Sequence, residues 1–248
     1  MADRLGYRLR VGVVVPSFNT VVEPELSSMR PPGVTNHVAR IEMPDTPLTS
    51  DADQEAVIES LGADLEGSLR RVMGAKPRVV VFGISIPTFW SGLHGMAQMR
   101  SRLEVLAGVP VVLGSEAVLA ALARYPGRPR IGVVTPYQPV ADERVRDFLT
   151  DAGHDVLAVE SLRPTRSSLI AAVEEERFAA KVDELAERGA QLILQVGTNL
   201  PVSDLVDGHA SRLGVPVLAI NTALYWRALR IAGLDDVIDG HGPPLNVA

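Results

Sequence analysis

The sequence predicts an α/β protein of two pseudo-symmetric lobes, each a parallel sheet flanked by helices, and three observations carry that expectation. First, the chain repeats itself. Arg10-Val11-Gly12-Val13-Val14-Val15-Pro16 returns as Arg130-Ile131-Gly132-Val133-Val134-Thr135-Pro136, and Gly108-Val109-Pro110-Val111-Val112-Leu113 returns as Gly214-Val215-Pro216-Val217-Leu218-Ala219. Between those matches, Arg78-Val79-Val80-Val81-Phe82-Gly83 corresponds to Gln191-Leu192-Ile193-Leu194-Gln195-Val196. Three matches in one order, roughly 105–120 residues apart, mark a duplicated unit. Second, the strand-like runs are nearly all apolar, which suits parallel strands covered on both faces by crossover helices. Third, these runs alternate with longer segments of helical spacing, the order of βα units.

Segments 11–15, 79–82, 111–113, 131–134, 156–159, 192–196 and 217–220 read as strands, because each is a short apolar or β-branched run, and 34–41 is expected to supply a further strand. Segments 56–73, 95–106, 115–124, 141–152, 168–188, 203–213 and 222–231 read as helices, with a short one after Asn19. Ser115 and Thr222 stand where N-caps follow strands, and Gly189 and Gly233 where glycines end helices. No Gly-, Ser- or Pro-rich linker separates the halves, so the lobes are expected to join through ordinary loops near Gly114 and Ile220. This gives a first lobe of residues 1–113 plus 221–248 and a second of 114–220, with the last helix returning to the first lobe. The tail from Asp239, with Gly240, Gly242, Pro243 and Pro244, reads as an irregular end or a packing arm.

Composition narrows the function. At 248 residues with 46% hydrophobic and 22% charged residues, the chain can bury one large core or two smaller ones of about 110 residues each. A net charge of −6 and a pI near 5.4 argue against a nucleic-acid partner, since phosphate binding needs clustered Lys and Arg. Residues 1–10 lack the apolar stretch of a signal peptide and no run approaches ~20 apolar residues, so no membrane association and a cytoplasmic location are expected. There is no cysteine, which removes disulfides, thiolate metal sites and thiol catalysis. Lys76 and Lys181 are the only lysines, so Schiff-base chemistry is a weak option. His37, His94, His154, His209 and His241 are scattered without paired spacing, and no metal is expected. The GxGxxG, Walker A and GxSxG patterns are absent, and no cofactor is expected.

Ligands of an open parallel sheet bind beyond the carboxyl ends of its strands. Four uncharged, donor-rich loops lie at that edge: Pro16-Ser17-Phe18-Asn19-Thr20, Gly83-Ile84-Ser85-Ile86-Pro87-Thr88, Thr135-Pro136-Tyr137-Gln138 and Gly197-Thr198-Asn199. With nearby helix N-termini, such loops favour a small carboxylate or a developing enolate. Each has a plainer role open to it. Ser17 and Asn19 can cap the following helix, Ser85 can be a turn residue, Tyr137 a buried aromatic, and Thr198 and Asn199 caps of a helix after Pro201. Glu23 and Glu25 read as surface acids complementing a helix N-terminus. Trp90 and Trp226 either line the cleft or anchor a core or interface.

These loops resemble those of the aspartate/glutamate racemase superfamily, in its maleate isomerase and arylmalonate decarboxylase branch, over residues 11–233. Pro16-Ser17-Phe18-Asn19-Thr20 is similar to the isomerase loop whose Asn and amides hold a substrate carboxylate. Gly83-Ile84-Ser85 resembles the decarboxylase Gly-Thr-Ser, with Ile84 in place of Thr, and Tyr137 matches the tyrosine that hydrogen-bonds the spared carboxylate. Val196-Gly197 falls where the branch keeps Cys-Gly, and Gly83 where racemases and isomerases have their other cysteine. Racemases need two opposed thiols, isomerases one as nucleophile, and the decarboxylase one as proton donor; Gly83 and Val196 supply none. What the resemblance leaves is an anion cradle able to stabilise an enediolate while Tyr137 or water delivers a proton.

The expected function is therefore a cofactor-independent lyase or isomerase acting on a small carboxylic or dicarboxylic acid, closest to arylmalonate decarboxylase. Tyr137 and Ser85 are the catalytic candidates; Ser17, Asn19, Gly83, Ile84, Val196, Gly197, Thr198 and Asn199 are the substrate-binding candidates. A maleate isomerase-like enzyme with altered catalytic groups and a non-catalytic carboxylate-binding or regulatory protein are the alternatives. The resemblance also implies a homo-oligomer.

Overall fold

The computed structural model describes residues 3–246; the outermost positions of the expected first lobe, 1–2 and 247–248, lie outside the described residues. The first half contains β1 (Leu9–Pro16), α1 (Val22–Ser28), β2 (Val34–Ile41), α2 (Asp51–Ser60), α3 (Leu65–Met73), β3 (Val79–Phe82), α4 (Ile86–Trp90), α5 (Gly92–Ala107) and β4 (Val111–Leu113). The second contains α6 (Gly114–Leu122), β5 (Ile131–Thr135), α7 (Pro139–Asp151), β6 (Val156–Ser161), α8 (Glu175–Glu187), β7 (Leu192–Gln195), α9 (Val206–Leu213), β8 (Val217–Ala219) and α10 (Ile220–Ile231).

The strands form two four-stranded parallel sheets of order β2-β1-β3-β4 and β6-β5-β7-β8, so the second is the first with four added to every number. The repeated segments pair alike: Val13 sits opposite Val81, and Val133 opposite Leu194. Their near-continuous apolar character is explained by what covers them. One core, containing Val13, Val81, Val133 and Leu194 with side chains of α1, α4, α6, α7 and α10, fills the space between the two sheets. Two others, around Val14, Val80 and Phe82 and around Val134, Ile193 and Phe178, lie beneath the outer helices. All strands but the edge strands β2 and β6, which are largely half-buried, are thus covered on both faces. Phe89 of α4 and Phe148 of α7 meet edge to face across the lobes with centroids 4.9 Å apart, an arrangement that adds ~0.5–1.5 kcal/mol to their area burial.

The crossings between lobes differ from expectation. No loop separates the halves: β4 runs directly into α6 at Gly114, and β8 directly into α10 at Ile220. The two helices start against each other, and a Cβ at Gly114 would lie 2.9 Å from Ile220 Cδ1, so glycine permits the approach. Ser115 and Thr222 therefore fall inside the first turns and are not N-caps. Ser115 Oγ instead donates to the Thr88 carbonyl, and Thr222 Oγ1 to that of His241.

Three helical readings also change. The expected helix 56–73 is two helices joined by a 3-10 turn, Leu61–Ala63, and it starts earlier at Asp51. Ser50 and Asp53 form a reciprocal capping box that fixes this start. The expected helix 168–188 is a 3-10 turn, Ser168–Ala172, followed by α8. Helix α4, read as loop, is a single short turn with Pro87 in its N-terminal positions, where the missing N–H costs nothing. In the tail, Leu245 is fully buried in the core between the sheets and acts as a packing arm.

Candidate active site

The carboxyl ends of β1, β3, β5 and β7 converge on one cavity of about 50 Å3 between the lobes. Its wall includes Asn19, Ile84, Ser85, Tyr137, Gly197, Thr198 and Asn199. Ser17, Gly83 and Val196 are not part of it. Ser17 is exposed; its hydroxyl donates to the Met43 carbonyl at 2.8 Å and accepts the Met43 amide at 3.3 Å. Gly83 contributes its carbonyl to Thr198 Oγ1 at 3.1 Å, and a Cβ there would meet Val15 Cγ1 at 2.8 Å and Val22 Cγ1 at 3.0 Å. Val196 is 0% exposed and packs in the core between the sheets. Both positions where the resembling enzymes carry thiols thus face packed apolar side chains. Trp90 and Trp226 are also absent from the wall: Trp90 lies under the Arg144 guanidinium at 5.5 Å, and Trp226 is buried.

At the centre, the hydroxyls of Ser85 and Tyr137, each 4% exposed, are hydrogen-bonded to each other across the lobes. Ser85 Oγ also accepts the Thr198 amide at 3.2 Å. Of the two hydroxyl protons in the pair, one closes the bond between them and the other is left for a ligand oxygen. Burial pushes the Tyr137 phenol well above its ordinary range; the Ser85 hydrogen bond opposes the rise and the charge of Asp142 adds to it. Tyr137 is held from behind: its amide donates to Thr135 Oγ1 at 3.3 Å, whose hydroxyl donates to Asp142, while Ser161 Oγ donates to the Tyr137 carbonyl. Desolvation raises Asp142 to about 7, opposed by the Thr135 hydrogen bond, Arg163 and Arg146 and assisted by Asp51.

The remaining polar residues divide into those with a donor left free in the cavity wall and those bonded to the backbone. Asn19 Oδ1 accepts the amides of Val21 and Val22 at 3.0 and 2.9 Å from two residues before the N-cap Val21, and its Nδ2 is what remains as donor. Asn199 is bonded to the backbone on both amide atoms: Oδ1 accepts the Thr20 amide and Nδ2 donates to the Ser167 carbonyl, both at 3.0 Å, which leaves one Nδ2 proton. It ties one lobe to the other and caps no helix. Gln54, buried in the wall, accepts the Gln138 amide at 3.4 Å on Oε1, leaving Nε2 as a further donor.

The roof consists of residues the sequence reading did not select: Met43, Leu48 and Val57 from one side, Ser167 and Ile170 from the other. They sit in the connections after β2 and β6, which clasp each other. Pro47 and Arg166 form an antiparallel bridge, the Leu48 amide donates to the Thr165 carbonyl at 2.8 Å, and Asp45 accepts from Ser168 N and Oγ at 3.0 and 2.7 Å. Their position after carboxyl-edge strands was the available signal. The wall is mainly apolar, with Phe18, Met43, Leu48, Val57, Ile84 and Ile170. Among the described residues no Asp, Glu, His, Lys or Arg lines it, and no group of three or more His, Asp or Glu could hold a metal ion. An anion here would meet neutral donors in a low-dielectric setting, where each counts for more than in water.

Fold and cavity together define a duplicated α/β protein whose pocket lies at the carboxyl edges of both sheets. Residues 11–244 match the arylmalonate decarboxylase family, and the chain belongs to that family. The maleate isomerase of Nocardia farcinica is 24% identical over 241 residues, 94% of each chain. The arylmalonate decarboxylase of Bordetella bronchiseptica is 28% identical over 182 residues, 72% of this chain and 73% of that one. The solved Nocardia farcinica maleate cis-trans isomerase bound to TRIS superposes with a TM-score of 0.85 at 22% identity, covering 96% of this chain and 98% of that one. A liganded double variant of arylmalonate decarboxylase gives 0.78 at 24% identity, covering 94% and 97%. At these identities the structural likeness concerns the fold. No helix among the described residues is long and apolar enough to cross a membrane.

Proposed function

We propose that this protein decarboxylates malonate-type acids, with Ser85 and Tyr137 in place of a thiol. The observation that carries this reading is a buried hydroxyl pair in a mainly apolar cavity with no charged side chain among the described residues of its wall. Racemisation and proton-transfer isomerisation need a base that removes a proton from carbon, and covalent isomerisation needs a nucleophile. Tyr137, held protonated by burial, is neither at neutral pH. Decarboxylation demands less of the protein. The C–C bond to one carboxylate breaks, its electron pair passes to the carbon and the spared carboxylate, and carbon dioxide leaves. The resulting enediolate is stabilised by the free hydroxyl proton of the pair and by Asn19 Nδ2. It is far more basic than a phenolate, so Tyr137 or Ser85 can then protonate the carbon and be reprotonated by water. An apolar wall around the departing carboxylate favours its conversion to a neutral molecule.

The cavity, at about 50 Å3, is a third of the ~150 Å3 that accommodates benzene in an engineered core. That supports malonates bearing hydrogen or a short alkyl group over those bearing an aryl ring. Supplying 13C-carboxyl malonate, methylmalonate, phenylmalonate and maleate and following products by NMR tests the reading. Labelled carbon dioxide is expected from the small malonates first. Conversion of maleate alone, or binding of malonates without any release, would overturn it in favour of isomerase or binding-protein readings respectively.

A further inference from the structure

Glu25 lies outside the cavity wall yet is bonded toward it. From α1 its carboxylate reaches into the other half of the chain: Oε1 accepts the amides of Val202 and Ser203, each at 2.9 Å, and Oε2 accepts Asn221 Nδ2 at 2.7 Å. It is not the surface acid that its place in a first turn implied. Asn221, in the first turn of α10, gives its other Nδ2 proton to the Thr198 carbonyl at 3.0 Å. Thr198 in turn donates its amide to Ser85 Oγ at 3.2 Å and its hydroxyl to the Gly83 carbonyl at 3.1 Å. A continuous chain of hydrogen bonds therefore runs from Glu25 through Asn221 and Thr198 to the Ser85–Tyr137 pair.

Every partner of the Glu25 carboxylate is a donor, the Val202 and Ser203 amides, Asn221 Nδ2 and the Ser203 hydroxyl, an arrangement that suits an acceptor-only carboxylate. Burial pushes its carboxyl up, opposed by the Ser203 amide, the Asn221 side chain, the Ser203 hydroxyl and the Val202 amide. A glutamine of the same shape would turn an NH2 against one of those donors whichever way it flipped.

We propose that Glu25 is a positioning residue for the cavity: through Asn221 it fixes Thr198, whose amide occupies one lone pair of Ser85 Oγ and so directs the free hydroxyl proton of the Ser85–Tyr137 pair toward a bound ligand. This rests on the functional reading of that pair, while its first test needs no ligand. In the full-length protein, Thr198 amide hydrogen exchange and the Cζ resonance of 13C-labelled Tyr137 are compared among wild type, Glu25→Gln, Asn221→Ala and His241→Ala. The last removes the ring whose Nδ1 meets Ser203 Oγ at 3.3 Å, keeps every bond of Glu25, and controls for disturbance of the same loop.

Glu25→Gln is expected to speed Thr198 exchange at least tenfold and to shift the Tyr137 resonance, with His241→Ala matching wild type. Should Glu25→Gln fail to fold, Asn221→Ala, which keeps both amide bonds of Glu25, decides. Wild-type exchange and an unmoved Tyr137 signal in a folded variant would overturn the proposal, since a role confined to the 202–203 loop leaves that signal unchanged. Calorimetry with malonate and methylmalonate separates the two readings. No binding by wild type, with the exchange result intact, sinks the functional reading alone. Equal affinities of wild type and Glu25→Gln sink the positioning role, for which a tenfold or greater loss is expected.

Discussion

The two halves repeat their backbone and divide their chemistry. Where the first sheet ends in Val15-Pro16-Ser17, the second ends in Thr135-Pro136-Tyr137. Ser17 turns outward to the Met43 backbone, whereas Tyr137 turns inward to Ser85. Where the first half has Gly83-Ile84-Ser85, the second has Val196-Gly197-Thr198. The equivalent residues Ser85 and Thr198 meet each other, with the Thr198 amide on Ser85 Oγ. Ile84 adds an apolar wall, while Gly197, at φ +146°, lets the backbone lie against Pro136. Duplication thus supplies two loops that must face one another, and substitution afterwards decides which presents hydroxyls and which clamps.

The largest expected effect tests that division. In the decarboxylation assay, Tyr137→Phe and Ser85→Ala should each lower kcat roughly 100- to 1000-fold, the cost of losing one donor to a developing oxyanion. The double variant should be little worse than either single one, because the two hydroxyls act as a unit. Fully additive losses would show that the residues work separately and that their hydrogen bond is incidental.

Next comes the glycine of the clamping loop. A Cβ at Gly197 would lie 2.6 Å from Pro136 Cδ and 2.8 Å from Cγ, against a ring that cannot swing away, at a φ that side chains rarely adopt. Gly197→Ala should cost roughly 2–4 kcal/mol in urea unfolding. Gly208→Ala, at a helical position with nothing within 4 Å of the added Cβ, should cost nothing or stabilise slightly. Equal behaviour of the two variants would remove the close approach of Gly197 as the reason for this residue.

These contrasts also explain what the sequence disclosed. The strands were legible because burial on both faces leaves almost nothing but apolar side chains, as in Val79–Phe82 and Val111–Leu113. So were the residues at strand ends that surround the cavity, since a parallel sheet places its loops at one edge. Outward Ser17 and core-facing Val196 were not legible, because position along a strand end does not reveal which way a side chain turns. Nor were Leu48, Gln54 and Ile170: they reach the cavity only when the connections after β2 and β6 fold over it, a tertiary event without a local pattern. Helix α2 was misplaced because its first turn, Asp51 to Asp53, is polar; the Ser50/Asp53 capping box was its mark.

A smaller effect concerns Thr135, which stands where the first half has Val15. Its hydroxyl binds Asp142, whose carboxyl burial lifts from 3.8 to about 7. The native state therefore holds a proton that the unfolded chain releases, so this contribution is intact below pH ~4 and is lost as pH rises through ~7. Asp142→Asn should abolish that decline, gaining about 1–3 kcal/mol relative to wild type between pH 4.5 and 8 after allowance for its partial exposure. A constant difference between the two urea-unfolding curves over that range would show that Asp142 titrates normally.

The smallest effect comes from the residue that mirrors Tyr137. Ser17→Ala removes the hydroxyl that bonds both the carbonyl and the amide of Met43, so roughly 0.5–1.5 kcal/mol of stability should be lost at this exposed position. Activity should stay within twofold of wild type, because Met43 is also held in the roof by its own buried side chain. A tenfold fall in kcat with unchanged thermal stability would mean that Ser17 turns inward during the reaction. The two halves would then share the chemistry, and the division between presenting and clamping loops would have to be given up.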